Sequence, residues 1–148
     1  MKYFTLNELT RSDTATKNKI DNTPTAEAVK NLTVLVDKVL DPLREMYGKP
    51  IYISSGYRCP RLNKAVGGVA GSQHKTGQAA DIQQVKKIIQ NGEEVTVVDH
   101  EANRCVFKLI EENLDFDQLL WENGGRWVHV SFRADGKNRR QVKRLWKK

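Results

Sequence analysis

The chain has 148 residues, 39% hydrophobic and 29% charged, the composition of a single globular domain rather than of a disordered or fibrous chain. It contains no apolar run of about 18 residues that would read as a membrane span. Its opening Met1-Lys2-Tyr3-Phe4-Thr5-Leu6-Asn7-Glu8 lacks the apolar stretch of a secretion signal, so location starts as cytoplasmic. Two cysteines, Cys59 and Cys105, exclude a cysteine-rich zinc site, and the net charge of +7 points first to a polyanion partner, nucleic acid or anionic cell wall.

Residues 1–24 are polar and irregular, with one short helix expected around Asn7–Arg11. Pro24-Thr25-Ala26-Glu27 reads as a helix start: the Thr25 hydroxyl can accept from free backbone N–H groups, and Glu27 suits the positive end of the dipole. Ala28, Leu32, Leu35, Val36, Val39, Leu40, Leu43 and Tyr47 follow at helical spacing and form one core-facing stripe. Pro42 should kink or split this helix, and Gly48 should stop it. Ile51–Ser54 alternates between Pro50 and Gly56 and predicts a short strand. A helix is expected over Pro60–Val66, then a loop through Ser72, then a strand over Ala79–Gln83. Gly92-Glu93-Glu94 reads as a turn, and a helix over Asp99–Asn113 turns Ala102, Val106, Leu109 and Ile110 inward. Asp117–Glu122 and Arg126–Phe132 read as strands, joined through Asn123-Gly124-Gly125 as a hairpin.

The class is therefore α+β, a small antiparallel sheet packed against helices, as one domain over 1–135. Residues 136–148 hold Lys137, Arg139, Arg140, Lys143, Arg144, Lys147 and Lys148 and no acid. The first 135 residues carry 18 basic and 18 acidic side chains, so the whole excess sits in this basic C-terminal tail. The tail has one aromatic residue, Trp146, and no recognition-motif spacing, so nucleic acid is not the expected partner. A solvated extension is one reading, and contact with anionic cell-wall polymers the other.

Three histidines are present, and two stand in informative settings. His74 opens His74-Lys75-Thr76-Gly77-Gln78-Ala79-Ala80-Asp81, where Gly77 permits a tight turn that can return Asp81 beside His74. His129 lies mid-strand in Trp127-Val128-His129-Val130-Ser131. Two histidines and one aspartate are a common zinc set that leaves a fourth position open, although other divalent ions accept the same donors. If Gly124-Gly125 is a two-residue tip, Leu120 pairs with His129 and Glu122 with Trp127. Side chains alternate along strands, so Gln118, Glu122, Trp127 and His129 share a face. Glu122 and His129 are then diagonal neighbours, about 7–8 Å apart at backbone level, which lets a carboxylate reach the open position. His100 reads as a polar residue at a helix start, and Cys59 as structural.

Ser72-Gln73-His74-Lys75-Thr76-Gly77-Gln78-Ala79-Ala80-Asp81 and Trp127-Val128-His129-Val130-Ser131 resemble the S-x-H-x-x-G-x-A-x-D and W-x-H-x-S motifs of the zinc D-alanyl-D-alanine metallopeptidases, a family of carboxypeptidases and phage endolysins with a hedgehog-type zinc fold. Ile53-Ser54-Ser55-Gly56-Tyr57-Arg58 and Phe116-Asp117-Gln118-Leu119-Leu120-Trp121-Glu122 add to the likeness, which is strongest to the compact, phage-associated branch. The resemblance implies one Zn2+ per chain on His74, Asp81 and His129, and hydrolysis of an amide bond in peptidoglycan stem peptides containing D-amino acids by metal-activated water. It assigns Arg58 to a substrate carboxylate or oxyanion and Ser72 to substrate contact, and Gln118 and Trp127 share the site face. Many relatives place an acid or a histidine three residues before the last zinc histidine. Here that residue is Arg126, which stays protonated, so Glu122 takes the acid–base role. The alternative is a non-catalytic zinc-binding module of the same fold that binds cell-wall or protein partners. A monomer, no membrane contact, and action on the cell wall after release or from a virion complete the expectation.

Overall fold

The computed structural model describes residues 1–146. Two short helices open the chain, α1 (Leu6–Thr10) and α2 (Asp13–Lys17). A capping box starts α1: the Thr5 hydroxyl accepts from the Glu8 N–H and the Glu8 carboxylate from the Thr5 N–H, both at 3.2 Å. Ser12 caps α2, a helix within the polar opening segment expected to be irregular.

The expected long helix is α3 (Ala26–Leu35) continued through a π-type turn (Val36–Leu40) into α4 (Asp41–Tyr47). Thr25 caps it and Gly48, at φ 75°, ends it. Pro42 has no N–H to give the preceding turn, and its ring crowds the carbonyl four residues back. The backbone answers by widening: the Asp41 N–H donates to the Val36 carbonyl, five residues away, and the helix continues without splitting.

Strands β1 (Ile53–Ser55), β2 (Ala79–Ile82), β5 (Gln118–Glu122), β6 (Trp127–Ser131) and β7 (Gln141–Arg144) form a sheet in the order β1-β2-β6-β5-β7. The first three pairings are antiparallel, and β5–β7 is parallel. The sheet is thus mixed, and β7, within the segment read as a basic C-terminal tail, supplies its edge strand. The helix α5 (Pro60–Ala65) and a 3-10 turn (Gln73–Thr76) lie between β1 and β2. One sheet face carries Ala80, Ile82, Leu119, Val128 and Val130, fully buried against α3, α4 and the helix α6 (His100–Asn113). The opposite face is left for the site.

A second sheet pairs β3 (Val85–Gln90) with β4 (Glu93–Val98) as an exposed hairpin. The turn is Asn91-Gly92, with φ of 52° and 78°, so Glu93 and Glu94 begin a strand rather than make the turn read from sequence. The tip joining β5 to β6 is likewise one step different. It spans Asn123–Arg126, with the Arg126 N–H donating to the Glu122 carbonyl at 3.1 Å, instead of two glycines. Lengthening the tip by one residue on each side keeps the parity, so Leu120 faces His129 and Glu122 faces Trp127 as expected. Asn103 on α6, fully buried, fixes this tip by donating to the carbonyls of Gly125 (2.9 Å) and Arg126 (3.1 Å).

Candidate metal centre

The residues of the open sheet face converge at the middle of the sheet. Asp81 on β2 is the direct cross-strand partner of His129 on β6, so both side chains project from the same face. His74 reaches them from the 3-10 turn. The Ser72 hydroxyl accepts the His74 N–H at 3.2 Å and caps that turn. Gly77 ends it at φ 76°, and a Cβ there would sit 2.5 Å from the Ala28 carbonyl of α3. Only glycine lets the ligand-bearing turn lie this close to the helix. The imidazoles of His74 and His129 meet edge to face, with centroids 5.2 Å apart. One donor atom from each of His74, Asp81 and His129 lies within 4.8 Å of the others.

The hydrogen bonding shows that this set fits a cation. His74 Nδ1 is 2.6 Å from the Gly56 carbonyl, which can only accept, so Nδ1 carries the hydrogen. In the neutral ring Nε2 then presents a lone pair, and it faces Asp81 Oδ1 at 3.3 Å. The same oxygen lies 3.0 Å from His129 Nδ1. A carboxylate oxygen and an unprotonated ring nitrogen this close repel unless a proton or a cation lies between them. The Gly56 carbonyl is thus the outer contact that orients the ligand ring. Burial raises the Asp81 pKa, but when a proton rather than a cation fills that gap, the charge of His74 and hydrogen bonds from both rings outweigh it and hold the carboxyl well below the usual range. Two nitrogens and a carboxylate oxygen with room for a further ligand suit zinc.

A cleft of about 790 Å³ opens over the triad, and Arg58, Ser72, Gln118, Glu122 and Trp127 all line it. Arg58 follows β1 and is half-buried. Its Nη2 donates to the Ser72 hydroxyl at 3.4 Å, and its Nε is buried with no partner among the described residues. Burial lowers its pKa and the charge of Asp81 raises it, leaving a partly desolvated cation aimed into the cleft. Gln118 donates to Gln141 Oε1 of β7 at 2.7 Å. Arg126 is exposed and does not line the cleft, and His100 is an exposed residue at the start of α6.

The sequence reading missed a second polar group in the cleft. Asp117, fully buried, accepts from Arg139 Nε (2.9 Å), Arg139 Nη2 (2.7 Å), the Arg139 backbone N–H (2.9 Å) and Gln73 Nε2 (2.9 Å). It thereby ties the basic C-terminal segment to the residue preceding His74. In the sequence Asp117 stands out only as the start of a strand within a family-like segment, and Arg139 as part of the basic tail, and neither carries a site role. These bonds, Arg139 foremost, hold the Asp117 pKa at about 2, below the ordinary 3.8. A lowered carboxyl pKa stabilises the fold above 3.8 and loses that contribution as pH falls toward 2. Arg139 is half-exposed, so the contribution is on the order of 1–2 kcal/mol. Urea denaturation of wild type and Asp117→Asn should therefore show a gap at neutral pH that narrows on acidification. A gap independent of pH would contradict this.

A family profile described as Peptidase M15 matches residues 2–131, and the chain belongs to this family of zinc-dependent peptidases. No curated protein matches the chain. No helix among the described residues is long and apolar enough to cross a membrane.

Proposed function

We propose that this Peptidase M15 member hydrolyses an amide bond in peptidoglycan stem peptides that contain D-amino acids, with one zinc ion on His74, Asp81 and His129. The observation that supports it most is the convergence in one cleft of the triad, the Arg58 Nε that has no partner among the described residues, and the carboxylate of Glu122. When bound, zinc polarises a carbonyl and lowers the pKa of water toward about 7. Glu122 takes a proton at its carboxylate and returns it to the leaving amine. Arg58, oriented by the Ser72 hydroxyl, holds a substrate carboxylate or the developing oxyanion through charge-assisted hydrogen bonds. Gln118 and Trp127 line the same face and contact the peptide. As an endolysin-like enzyme of a phage, it would act on the wall after release or from the virion.

The second reading is a zinc-binding module without turnover. It draws on Arg126, which stands where many members of the resembled family carry an acid–base group. Digestion of purified peptidoglycan distinguishes the two. Zinc-loaded wild type is expected to release new amines, and chelation to stop the release. No release under zinc-replete conditions would end the peptidase reading for this substrate.

A further inference from the structure

The cations of the C-terminal segment are not equivalent. Arg139 is held by Asp117, Arg140 donates to the Leu114 carbonyl at 2.7 Å beside Asp115, and Arg144 lies 3.7 Å from Glu111 and over the Phe107 ring. Lys143 is exposed and has no ion-pair partner among the described residues. Register fixes where it points. Val142 and Arg144 pack toward the core and α6, so Lys143 between them projects from the opposite face, that of the site. Cross-strand pairing then sets one row across that face: Asp81, His129, Leu120, Lys143. Two strand spacings separate His129 from Lys143, about 10 Å between backbones. Arg58, which follows β1, stands beyond the other end of the row.

We propose that Lys143 forms an anion subsite for a carboxylate on the acyl side of the scissile bond, with Arg58 serving the opposite side. The substrate class is a peptide lying across the strands with an acidic side chain about three residues from the cleaved carbonyl, since an extended chain advances about 3.3 Å per residue. Leu120 in the same row gives the intervening segment an apolar floor. This rests on the peptidase reading for its direction of binding but can be tested apart from it.

The probes are two synthetic peptides ending in D-Ala-D-Ala that differ only in whether one acidic side chain on the acyl side is free or amidated. Their Kd for the zinc-loaded Glu122→Gln protein and their kcat/KM with wild type are measured at low and high salt. The free carboxylate is expected to bind about fivefold more tightly at low salt, the scale of one solvent-accessible ion pair. Lys143→Gln should remove the preference, Lys143→Glu reverse it, and Lys137→Gln, on the same segment, leave it intact. Equal Kd values for the two peptides, or a preference that survives Lys143→Gln, overturns the subsite even if both peptides are cleaved. A Lys143-dependent preference without cleavage by wild type supports the subsite and overturns the peptidase reading for a terminal D-Ala-D-Ala bond instead.

Discussion

Glu122→Gln is expected to retain zinc at the wild-type level while turnover falls by about a hundred- to ten-thousandfold, the range for losing a positioned acid–base group. The side chains have the same size, so cleft shape and ligand geometry should survive the loss of the proton-transfer group. The assignment follows from strand geometry. Glu122 is the register partner of Trp127, two positions from the residue opposite His129, and side-chain alternation puts it on the site face. Arg126 lies in the tip rather than in β6, where alternation no longer governs direction, and it is exposed. Arg126→Gln should therefore leave kcat close to wild type. Metal analysis and steady-state kinetics on both variants check this. A Glu122→Gln protein that keeps full turnover would transfer the role to another group.

What could be read in the sequence was what local geometry determines. His129 and Asp81 sit mid-strand, and a face assignment needs only a period of two, so the shared face of Glu122, Trp127 and His129 survived an error in the hairpin tip that preserved parity. Thr25, Gly48 and Pro42 marked the long helix because capping, left-handed backbone and a missing N–H are local properties. The β3–β4 hairpin was equally local, and Asn91-Gly92 was its signal, but the neighbouring Gly92-Glu93-Glu94 drew the turn one step too late. The edge strand β7 was different. Gln141-Val142-Lys143-Arg144 has one apolar residue, and its pairing with β5 lies more than twenty positions back along the chain, parallel. No periodicity announces such a contact, and a count of charges made the segment look like a free tail. Arg139 on Asp117 was hidden for the same reason: the buried carboxylate and its cation meet only after the sheet has formed. The +7 excess is accordingly not a diffuse terminal charge. Its arginines brace the sheet and the turn bearing His74, and Lys143 is left on the sheet face that carries the site.

The converging acceptors at the triad predict opposite effects of one substitution on the two forms of the protein. In the wild type without metal, the His74 Nε2 lone pair opposes Asp81 Oδ1 at 3.3 Å because the Gly56 carbonyl takes the only ring hydrogen. Zinc held by the triad would remove that repulsion, and the three donors converge only in the folded arrangement. At a free concentration a thousand times its Kd it should contribute about 4 kcal/mol. For a chain of this size that raises Tm by roughly 10 °C. His74→Ala and His129→Ala should lose the increment together with the metal. Asp81→Asn should lose it too, but its amide can donate to His74 Nε2, so the metal-free variant should melt no lower than metal-free wild type and is expected to melt above it. Thermal denaturation at about pH 8, with and without zinc, reads all four proteins. If metal-free Asp81→Asn instead melts well below metal-free wild type, the carboxylate is a net stabiliser without a cation. The repulsion argued from the His74 tautomer is then wrong.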